Sequence, residues 1–244
     1  TMPPLISIPS GPAELLRRLE EAGFEAYAVG GCVRDSLRGG TPSDWDLCTS
    51  ARPEEMAACF TGLRVIPTGI KHGTLTVVLD GVGYEITTYR VETSYTDHRH
   101  PDGVSFVRSL KEDLARRDFT VNAMAWHPQR GLCDPFGGRQ DLQRGMIRCV
   151  GRAATRFEED ALRILRALRF ASQLNFTIEA DTARSVRSMA ADLRSLPGER
   201  LGVELKKLMC GPGAGRVLWE FWPVFCEIIP DLAPLTGAAQ DNPH

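Results

Sequence analysis

The pattern of the chain changes near residue 150, and this change limits the folds that it can adopt. Before it, segments with strand character alternate with helical segments and glycine turns, which predicts strands mixed with helices. From Thr155 onward the apolar residues recur with helical spacing only. We therefore predict an α+β fold, with a mixed, mostly antiparallel sheet followed by an all-helical region.

Several local signals place the elements of the first part. Pro12 and Gly23 frame a helix, and residues 24–29 form a strand that ends at two glycines. A second short strand is expected over residues 45–47. Residues 74–79 and 84–90 flank Asp80 and Gly81, a pair typical of hairpin turns. Ser50 is expected to cap a helix that runs to Phe60, and residues 104–107 are expected to form another strand.

The helical region begins with Thr155 and Glu158, which have the spacing of a capping box. One helix is predicted over about residues 156–173, and further helices over 179–192 and 199–209. The apolar face of the first helix carries Ala161, Ile164, Leu165 and Leu168, and its other face is charged. That other face gathers Glu159, Asp160, Arg163, Arg166 and Ala167.

Composition excludes some classes of protein. No apolar run approaches the roughly 18 residues of a membrane span, and no signal peptide is evident, so no membrane partner is expected. The seven cysteines are scattered and never spaced C-x-x-C, which argues against a disulfide framework or a zinc site and favours the cytoplasm. The net charge of −2 does not by itself indicate nucleic acid, but arginines are dense between Arg139 and Arg169.

Asp44 and Asp46 form the pair with the clearest chemical meaning. On a strand, residues two apart face the same side, so both carboxylates can converge on one point. Their mutual repulsion is relieved when a hard cation such as Mg²⁺ lies between them. Glu85 lies on a strand that is able to neighbour this pair, and it would add a third oxygen ligand.

Gly30 and Gly31 precede Arg34 just upstream of this pair. Two glycines between a strand and a helix let backbone amides approach an anion, and Arg34 adds positive charge. No Rossmann or P-loop motif is present. The combination of a strand, a Gly-Gly turn and two aspartates indicates phosphoryl transfer that depends on metal ions.

These segments resemble class II of the polymerase-β-type nucleotidyltransferase superfamily, and more narrowly the family of CCA-adding enzymes and poly(A) polymerases. The matching segments are GGCVRD at 30–35, DWD at 44–46, KHGTLTV at 71–77, EITTYR at 85–90, RRDFTVNA at 116–123, DPFGG at 134–138 and EEDALRILRALRF at 158–170. The resemblance implies that Asp44 and Asp46 bind metal ions with help from Glu85. It also implies that Gly31, Arg34 and Arg117 hold the nucleotide, while Asp118 and Asn122 brace the pocket.

The charged face of the helix predicted over residues 156–173 offers a way to select the base of the incoming nucleotide. Cytosine and adenine each present an amine donor beside a ring-nitrogen acceptor, whereas uracil and guanine present the reverse. Asp160 accepting the amine and Arg163 donating to the ring nitrogen would therefore select C and A. Glu159 is placed to orient Arg163, and Arg166 and Arg169 are placed for triphosphate or RNA backbone. A surface ladder of salt bridges is the alternative.

The expected function is template-independent addition of C and A from CTP and ATP to the 3′ end of tRNA, with Mg²⁺. An enzyme that adds only A, a poly(A) polymerase, and a non-catalytic module that binds RNA or nucleotides are the alternatives. Residues 92–103 resemble a loop that CC-only relatives largely lack, and residues 241–244 resemble a junction to an HD-type domain. The expected domains are a catalytic head over 1–150, a nucleotide-selecting neck over 151–195 and the start of an RNA-binding body over 196–244.

Overall fold

The computed structural model describes residues 5–92 and 104–236. They form two compact units. Unit 1 comprises residues up to Arg144 together with Cys149–Gly151, and unit 2 comprises Gly145–Arg148 and the residues from Arg152 onward. The expected labels of head, neck and body are assignments of function to these stretches, and they stay predictions.

Unit 1 combines a seven-stranded main sheet and a separate two-stranded sheet with short helices. Its elements are α1 Ser10–Glu21, β1 Ala26–Val29, α2 Gly31–Leu37, β2 Leu47–Thr49, α3 Pro53–Cys59, β3 Arg64–Gly69, β4 Thr74–Leu79, β5 Val82–Thr88, β6 Arg90–Glu92, β7 Val104–Phe106, α4 Leu110–Ala115, β8 Ala125–His127, β9 Gly131–Cys133 and α5 Gly138–Arg144. The main sheet has the strand order β3-β4-β5-β2-β1-β8-β9, and β6 pairs with β7 in the separate sheet. Strands β2 and β5 run parallel, and the other neighbours in this sheet run antiparallel. This confirms the mixed, mostly antiparallel sheet.

The centre of the sheet is buried on both faces. All four residues of β1 and all three of β2 are buried, and helix α1 covers the sheet with Leu15, Leu16 and Leu19. Strands buried on both faces lose the alternation of polar and apolar residues, so β1 appears in the sequence as the apolar run AYAV. Strand β2 has the sequence LCT, and its polar Thr49 is buried too. This central pair carries the loops that hold the site residues.

Turn chemistry explains which strands were predictable. Asp80 and Gly81 both have positive φ, 52° and 77°, so they form the tight turn between β4 and β5 as predicted. The strand predicted over 45–47 was misplaced, since β2 begins at Leu47. The strand predicted over 84–90 is displaced as well: β5 covers Val82–Thr88, and Arg90 begins β6.

Unit 2 is mainly helical. Its elements are β10 Met146–Ile147, α6 Ala153–Glu159, α7 Leu162–Leu174, β11 Thr177–Ile178, α8 Ala180–Ser188, α9 Gly198–Met209, α10 Ala214–Glu220 and α11 Trp222–Ile228. The expectation of helices alone was wrong in one detail, because β10 and β11 pair in parallel. The helix predicted over 199–209 is confirmed as α9. The helix predicted over 179–192 ends early, at Ser188, and a short 3-10 segment follows.

The single helix predicted over residues 156–173 was wrong. Asp160 has φ −150° and ψ 108°, an extended conformation that ends α6 before α7 begins. Its carboxylate oxygen Oδ1 accepts a hydrogen bond of 3.0 Å from the amide of Leu162, which starts α7. Short polar side chains compete in this way with helical hydrogen bonds. Thr155 lies inside α6, where Arg152 is the N-cap, so the predicted capping box was also wrong.

Two predictions fall largely or wholly outside the described residues: the loop over residues 92–103 and the junction at 241–244. Within the part of the chain that is described, no helix has the length and apolar character needed to cross a membrane.

Candidate nucleotidyltransferase site

Asp44 and Asp46 point to solvent on either side of a buried tryptophan. Both aspartates are exposed, whereas Trp45 is 7% exposed. The carbonyl of Asp46 accepts a hydrogen bond of 3.0 Å from the amide of Val29, so Asp46 extends the pairing of β1 with β2. Exposed and buried side chains therefore alternate over residues 44–46 as they would in a strand, although β2 itself begins at Leu47.

The register of the parallel pair brings Glu85 to the same edge. Leu47 on β2 pairs with Ile86 on β5, so Asp46 and Glu85 each stand one residue before that pair. The pKa of Asp46 is raised to about 6, mainly because the surrounding protein reduces its solvation, and then because of the charge of Glu85. Asp44 raises it further, and Arg117 acts in the opposite direction. The ionised form of Asp46 is thus disfavoured, first by reduced solvation and then by the charge of Glu85.

A divalent cation fits the chemistry of this donor set. Carboxylate oxygens are the ligands of hard cations, and a cation would relieve the repulsion that raises the pKa of Asp46. Among the residues that the structure describes, no group of three or more His, Cys, Asp or Glu side chains is gathered closely enough to hold a metal ion. The predicted third ligand, Glu85, is therefore not gathered with the other two into such a group.

Arg34, Asn122 and Asp118 form a chain of hydrogen bonds. Nη1 of Arg34 donates to Oδ1 of Asn122 at 2.6 Å, and Nδ2 of Asn122 donates to Oδ1 of Asp118 at 3.3 Å. The same Asp118 oxygen accepts the amide of Phe119 at 2.7 Å. Asp118 and Asn122 are both 8% exposed. The guanidinium of Arg34 is therefore oriented by a buried amide, which suits a residue that receives an anion.

The two glycines lie beside two guanidinium groups. Gly30 has a φ of 79°, a conformation that side chains rarely adopt, and a Cβ there would lie 3.5 Å from Nη1 of Arg117. A Cβ at Gly31 would lie 3.5 Å from Nη2 of Arg34. The predicted nucleotide-binding residues of unit 1 are thus brought together around the turn between β1 and α2.

Asp113 is a functional neighbour that the sequence analysis missed. It is 1% exposed and pairs with Arg117 at 3.3 Å and with Arg116 at 3.4 Å. It also accepts the amide of Arg90 at 3.0 Å. The spacing of three and four residues from Asp113 to the two arginines, which follow the end of α4, was the available signal. Asp113 anchors Arg117 beside Asp46.

Helix α5 supports the turn that carries Asn122. Oδ1 of Asp134 accepts the amide of Gly138 at 2.7 Å, and Oδ2 accepts the amide of Arg139 at 3.0 Å. Asp141 accepts a hydrogen bond of 2.6 Å from the hydroxyl of Thr120. The DPFGG segment therefore acts structurally, because it caps a helix that holds residues 120–122 in place.

The charged residues of unit 2 pair with one another. The carboxylate of Glu159 receives Arg156 on one oxygen and Arg163 on the other, both at 2.7 Å. The expected contact between Glu159 and Arg163 is thus present, across the break at Asp160. We had expected Asp160 and Arg163 to share a helical face, and this was wrong. The carboxylate of Asp160 pairs with Arg200 at 3.1 Å.

Arg166 and Arg169 both contact Glu204. The distances are 3.6 Å for Arg166 and 3.0 Å for Arg169. Arg169 and Glu204 have side chains that are only 8% and 6% exposed, and the guanidinium of Arg169 lies 4.0 Å from the ring centre of Phe170. Arg169 is therefore placed in the interior of unit 2, whereas the side chain of Arg166 is 31% exposed. Their predicted roles toward triphosphate or RNA remain predictions.

Family models and known proteins resemble this chain over much of its length. Residues 26–148 match the family described as poly A polymerase head domain. Residues 175–222 match a second family, described as the probable RNA- and SrmB-binding site of polymerase A. A CCA-adding enzyme of Leuconostoc mesenteroides is 52% identical over 204 residues, which are 84% of this chain and 50% of that enzyme. That of Levilactobacillus brevis is 48% identical over 231 residues, covering 91% and 58%.

Solved structures show the same similarity. The crystal structure of the Bacillus stearothermophilus CCA-adding enzyme in complex with CTP has a TM-score of 0.78 at 44% identity, covering 88% of this chain and 51% of that one. The Thermotoga maritima CCA-adding enzyme complexed with tRNA has a TM-score of 0.75 at 30% identity, covering 91% and 53%. This chain thus spans about half the length of the relatives it matches. On the match over residues 26–148 and the similarity to these relatives, the chain belongs to the poly A polymerase head-domain family of nucleotidyltransferases, the family that includes the CCA-adding enzymes.

Proposed function

We propose that this chain adds C and A from CTP and ATP to the 3′ end of tRNA by nucleotidyl transfer that depends on Mg²⁺. The observation that carries the proposal is the pair of Asp44 and Asp46, with Glu85 at the matching position of the neighbouring strand β5. Reduced solvation and then the charge of Glu85 raise the pKa of Asp46. The CCA-adding enzymes among its relatives, one of them solved with CTP, support the choice of substrate.

In this reaction a 3′-hydroxyl of RNA attacks the α-phosphate of the nucleotide, a new O–P bond forms, and pyrophosphate leaves. Asp44 and Asp46 would hold Mg²⁺, which supplies positive charge for the attacking hydroxyl and the phosphates. Arg34 and Arg117 would bind the triphosphate, since a guanidinium donates to phosphate oxygens in pairs. Asn122 and Asp113 keep these two arginines in place.

Base selection is assigned to Asp160 and Arg163. Asp160 would accept the amine of cytosine or adenine, and Arg163 would donate to the ring nitrogen; uracil and guanine would leave both groups without a match. The ion pair that holds Arg163 on Glu159 supports this role. We also place the reaction in the cytoplasm, where seven cysteines, none of them in a disulfide, would stay reduced.

The deciding experiment is single-nucleotide incorporation, with Mg²⁺, onto tRNA transcripts that end before CCA, after CC or after CCA. Addition of C, C and A to the shortest transcript, and nothing to the complete one, is the expected result. Addition of A only to the transcript ending in CC would identify an A-adding enzyme, and continued addition of A would identify a poly(A) polymerase.

Two variants separate catalysis from binding. Asp46→Ala should abolish incorporation while tRNA binding is kept, whereas Glu54→Gln, which changes an exposed carboxylate on α3, should leave incorporation unchanged. If the Asp46→Ala variant incorporates nucleotides as the wild type does, the metal-site assignment is wrong. A wild-type chain that binds nucleotide and RNA but transfers nothing would be a non-catalytic binding module.

A further inference from the structure

The carboxylate of Asp160 is held from two sides. Nη2 of Arg200 donates to Oδ2 at 3.1 Å, and the amide of Leu162 donates to Oδ1 at 3.0 Å. The side chain of Asp160 is 22% exposed and that of Arg200 is 25% exposed, so both are partly open to solvent. A carboxylate offers about four lone-pair positions, so two remain for a donor from outside the protein. The carboxylate is thus oriented and still able to accept.

The backbone around Asp160 holds only one oxygen of this side chain, through the amide of Leu162. Asp160 is extended and lies between α6 and α7, so its side chain is not confined to the rotamers of a helix. The hydrogen bonds that it makes therefore decide where its oxygens point. One of them comes from a residue 40 positions later in the sequence.

Helix α9 delivers Arg200 from a fixed position. Four residues after Arg200, Glu204 pairs with Arg169 at 3.0 Å, and four residues after that, the carbonyl of Leu208 accepts the hydroxyl of Ser172 at 2.5 Å. Residues four apart lie on the same face of a helix. One face of α9 is therefore attached along the segment from Asp160 to Ser172, and its first turn carries Arg200.

We propose that Arg200 is a positioning residue for base selection, which orients the carboxylate of Asp160 toward the amine of the incoming cytosine or adenine. This inference rests on the proposed function, because it assumes that Asp160 contacts the base. Arg200 acts on Asp160 and has no part in the transfer of the nucleotide. Its removal would leave the amide of Leu162 to hold one oxygen while the other turns freely.

The test compares kcat/KM for CTP and ATP with kcat/KM for UTP and GTP on tRNA transcripts. Arg200→Ala should lower the preference for C and A about tenfold, the effect of losing one charged hydrogen bond. The kcat for CTP should change much less than the preference. Arg200→Lys should recover part of the preference, and Arg184→Ala, at an exposed arginine paired with Asp181, should not alter it.

A second comparison asks whether Arg200 acts through Asp160. In an Asp160→Asn background, Arg200→Ala should have no further effect on the preference, as expected for two residues that form one unit. An equal additional loss in that background, or an equal fall in kcat/KM for all four nucleotides, would overturn the inference. If Arg200→Ala does not fold, Arg200→Gln replaces it, with the same expectations.

The outcomes also separate this inference from the proposed function. A wild type that adds C and A, with a variant at Arg200 that rejects UTP and GTP as strongly as before, would overturn the inference alone. A wild type that adds neither C nor A would overturn the proposed function, and the inference with it.

Discussion

Arg34 donates a hydrogen bond of 2.6 Å to the side-chain oxygen of Asn122, which stands 88 positions later in the sequence. Asn122 uses its amide nitrogen to reach Asp118, so one buried amide links a cation to an anion. Only a group with both an acceptor and a donor can make these two contacts. This requirement explains an asparagine at a position where aspartate would have nearly the same shape.

The first prediction concerns this amide. Asn122→Asp should lower the free energy of unfolding by about 1–3 kcal/mol, because the donor to Asp118 is lost and two buried carboxylates then face each other. Denaturant unfolding measures the change. The matched control is Gln129→Glu, at an exposed position, which should change stability by less than about 0.5 kcal/mol. Equal effects of the two variants would show that the link through Asn122 contributes nothing.

The second prediction concerns pH. The pKa of Asp46 is raised to about 6, so the ionised form is disfavoured in the folded protein. Ionisation therefore costs the folded state stability as pH rises from about 4, the ordinary value for aspartate, to about 6. Asp46→Asn cannot ionise, so its melting temperature should exceed that of the wild type above pH 6 and match it below pH 4.

Mg²⁺ should offset the loss of stability that ionisation of Asp46 causes in the wild type. It should raise the melting temperature more at pH 8 than at pH 5, because a cation favours the ionised carboxylates. Asp46→Asn should lose most of this effect, and Glu54→Gln should keep it. The cation would lie elsewhere if Mg²⁺ raised the melting temperature equally at both pH values. The same conclusion would follow if it raised the melting temperature of Asp46→Asn as much as that of the wild type.

The third prediction concerns Gly138, the last glycine of the DPFGG segment. A Cβ at this position would lie 2.1 Å from the carbonyl oxygen of Thr120, a backbone atom that cannot move aside cheaply. Gly138→Ala should therefore lower the free energy of unfolding by about 3 kcal/mol or more, and displace the turn that carries Asn122. Gly202→Ala, inside α9 with open space around it, should instead be neutral or stabilising by up to about 1 kcal/mol. Urea denaturation of both variants decides this, and a mild effect at Gly138 would contradict it.

Features set by neighbouring residues could be predicted from the sequence, whereas features set by distant contacts could not. The turn at Asp80 and Gly81 was predictable, because positive φ at two successive residues is a local demand met by few residue types. The break at Asp160 was not, because helical spacing of apolar residues continues on both sides of it, from Phe157 to Ile164. Its carboxylate is held by Arg200, whose position depends on how α9 packs.

The site residues divide in the same way. Asp44, Asp46 and Arg34 could be singled out from motifs, since the chemistry of phosphoryl transfer restricts the residue types. Asp113 offered only its spacing to Arg116 and Arg117, which many surface residues share. Asp141 offered no signal, because it holds Thr120 and a buried carboxylate cannot be told from a surface one in a sequence. Partners of this kind emerge only from the tertiary structure.

The last prediction decides whether Arg169 serves the fold or the ligand. Its guanidinium and Glu204 form an ion pair with both side chains nearly buried. Glu204→Leu should destabilise unit 2 by about 3–5 kcal/mol, because it leaves the charge of Arg169 buried without that carboxylate. The double variant Arg169→Met with Glu204→Leu should recover most of this loss, since apolar residues of similar volume replace a buried pair well.

Thermal unfolding and nucleotide incorporation of the double variant together give the answer. If stability and kcat/KM for CTP are both close to the wild type, Arg169 is structural, and its predicted contact with triphosphate or RNA is wrong. If stability recovers but kcat/KM falls by about tenfold or more, Arg169 contributes to binding despite its burial, because a lost charged hydrogen bond to phosphate has about this effect. Arg184→Ala, at an exposed ion pair, supplies the baseline for both measurements.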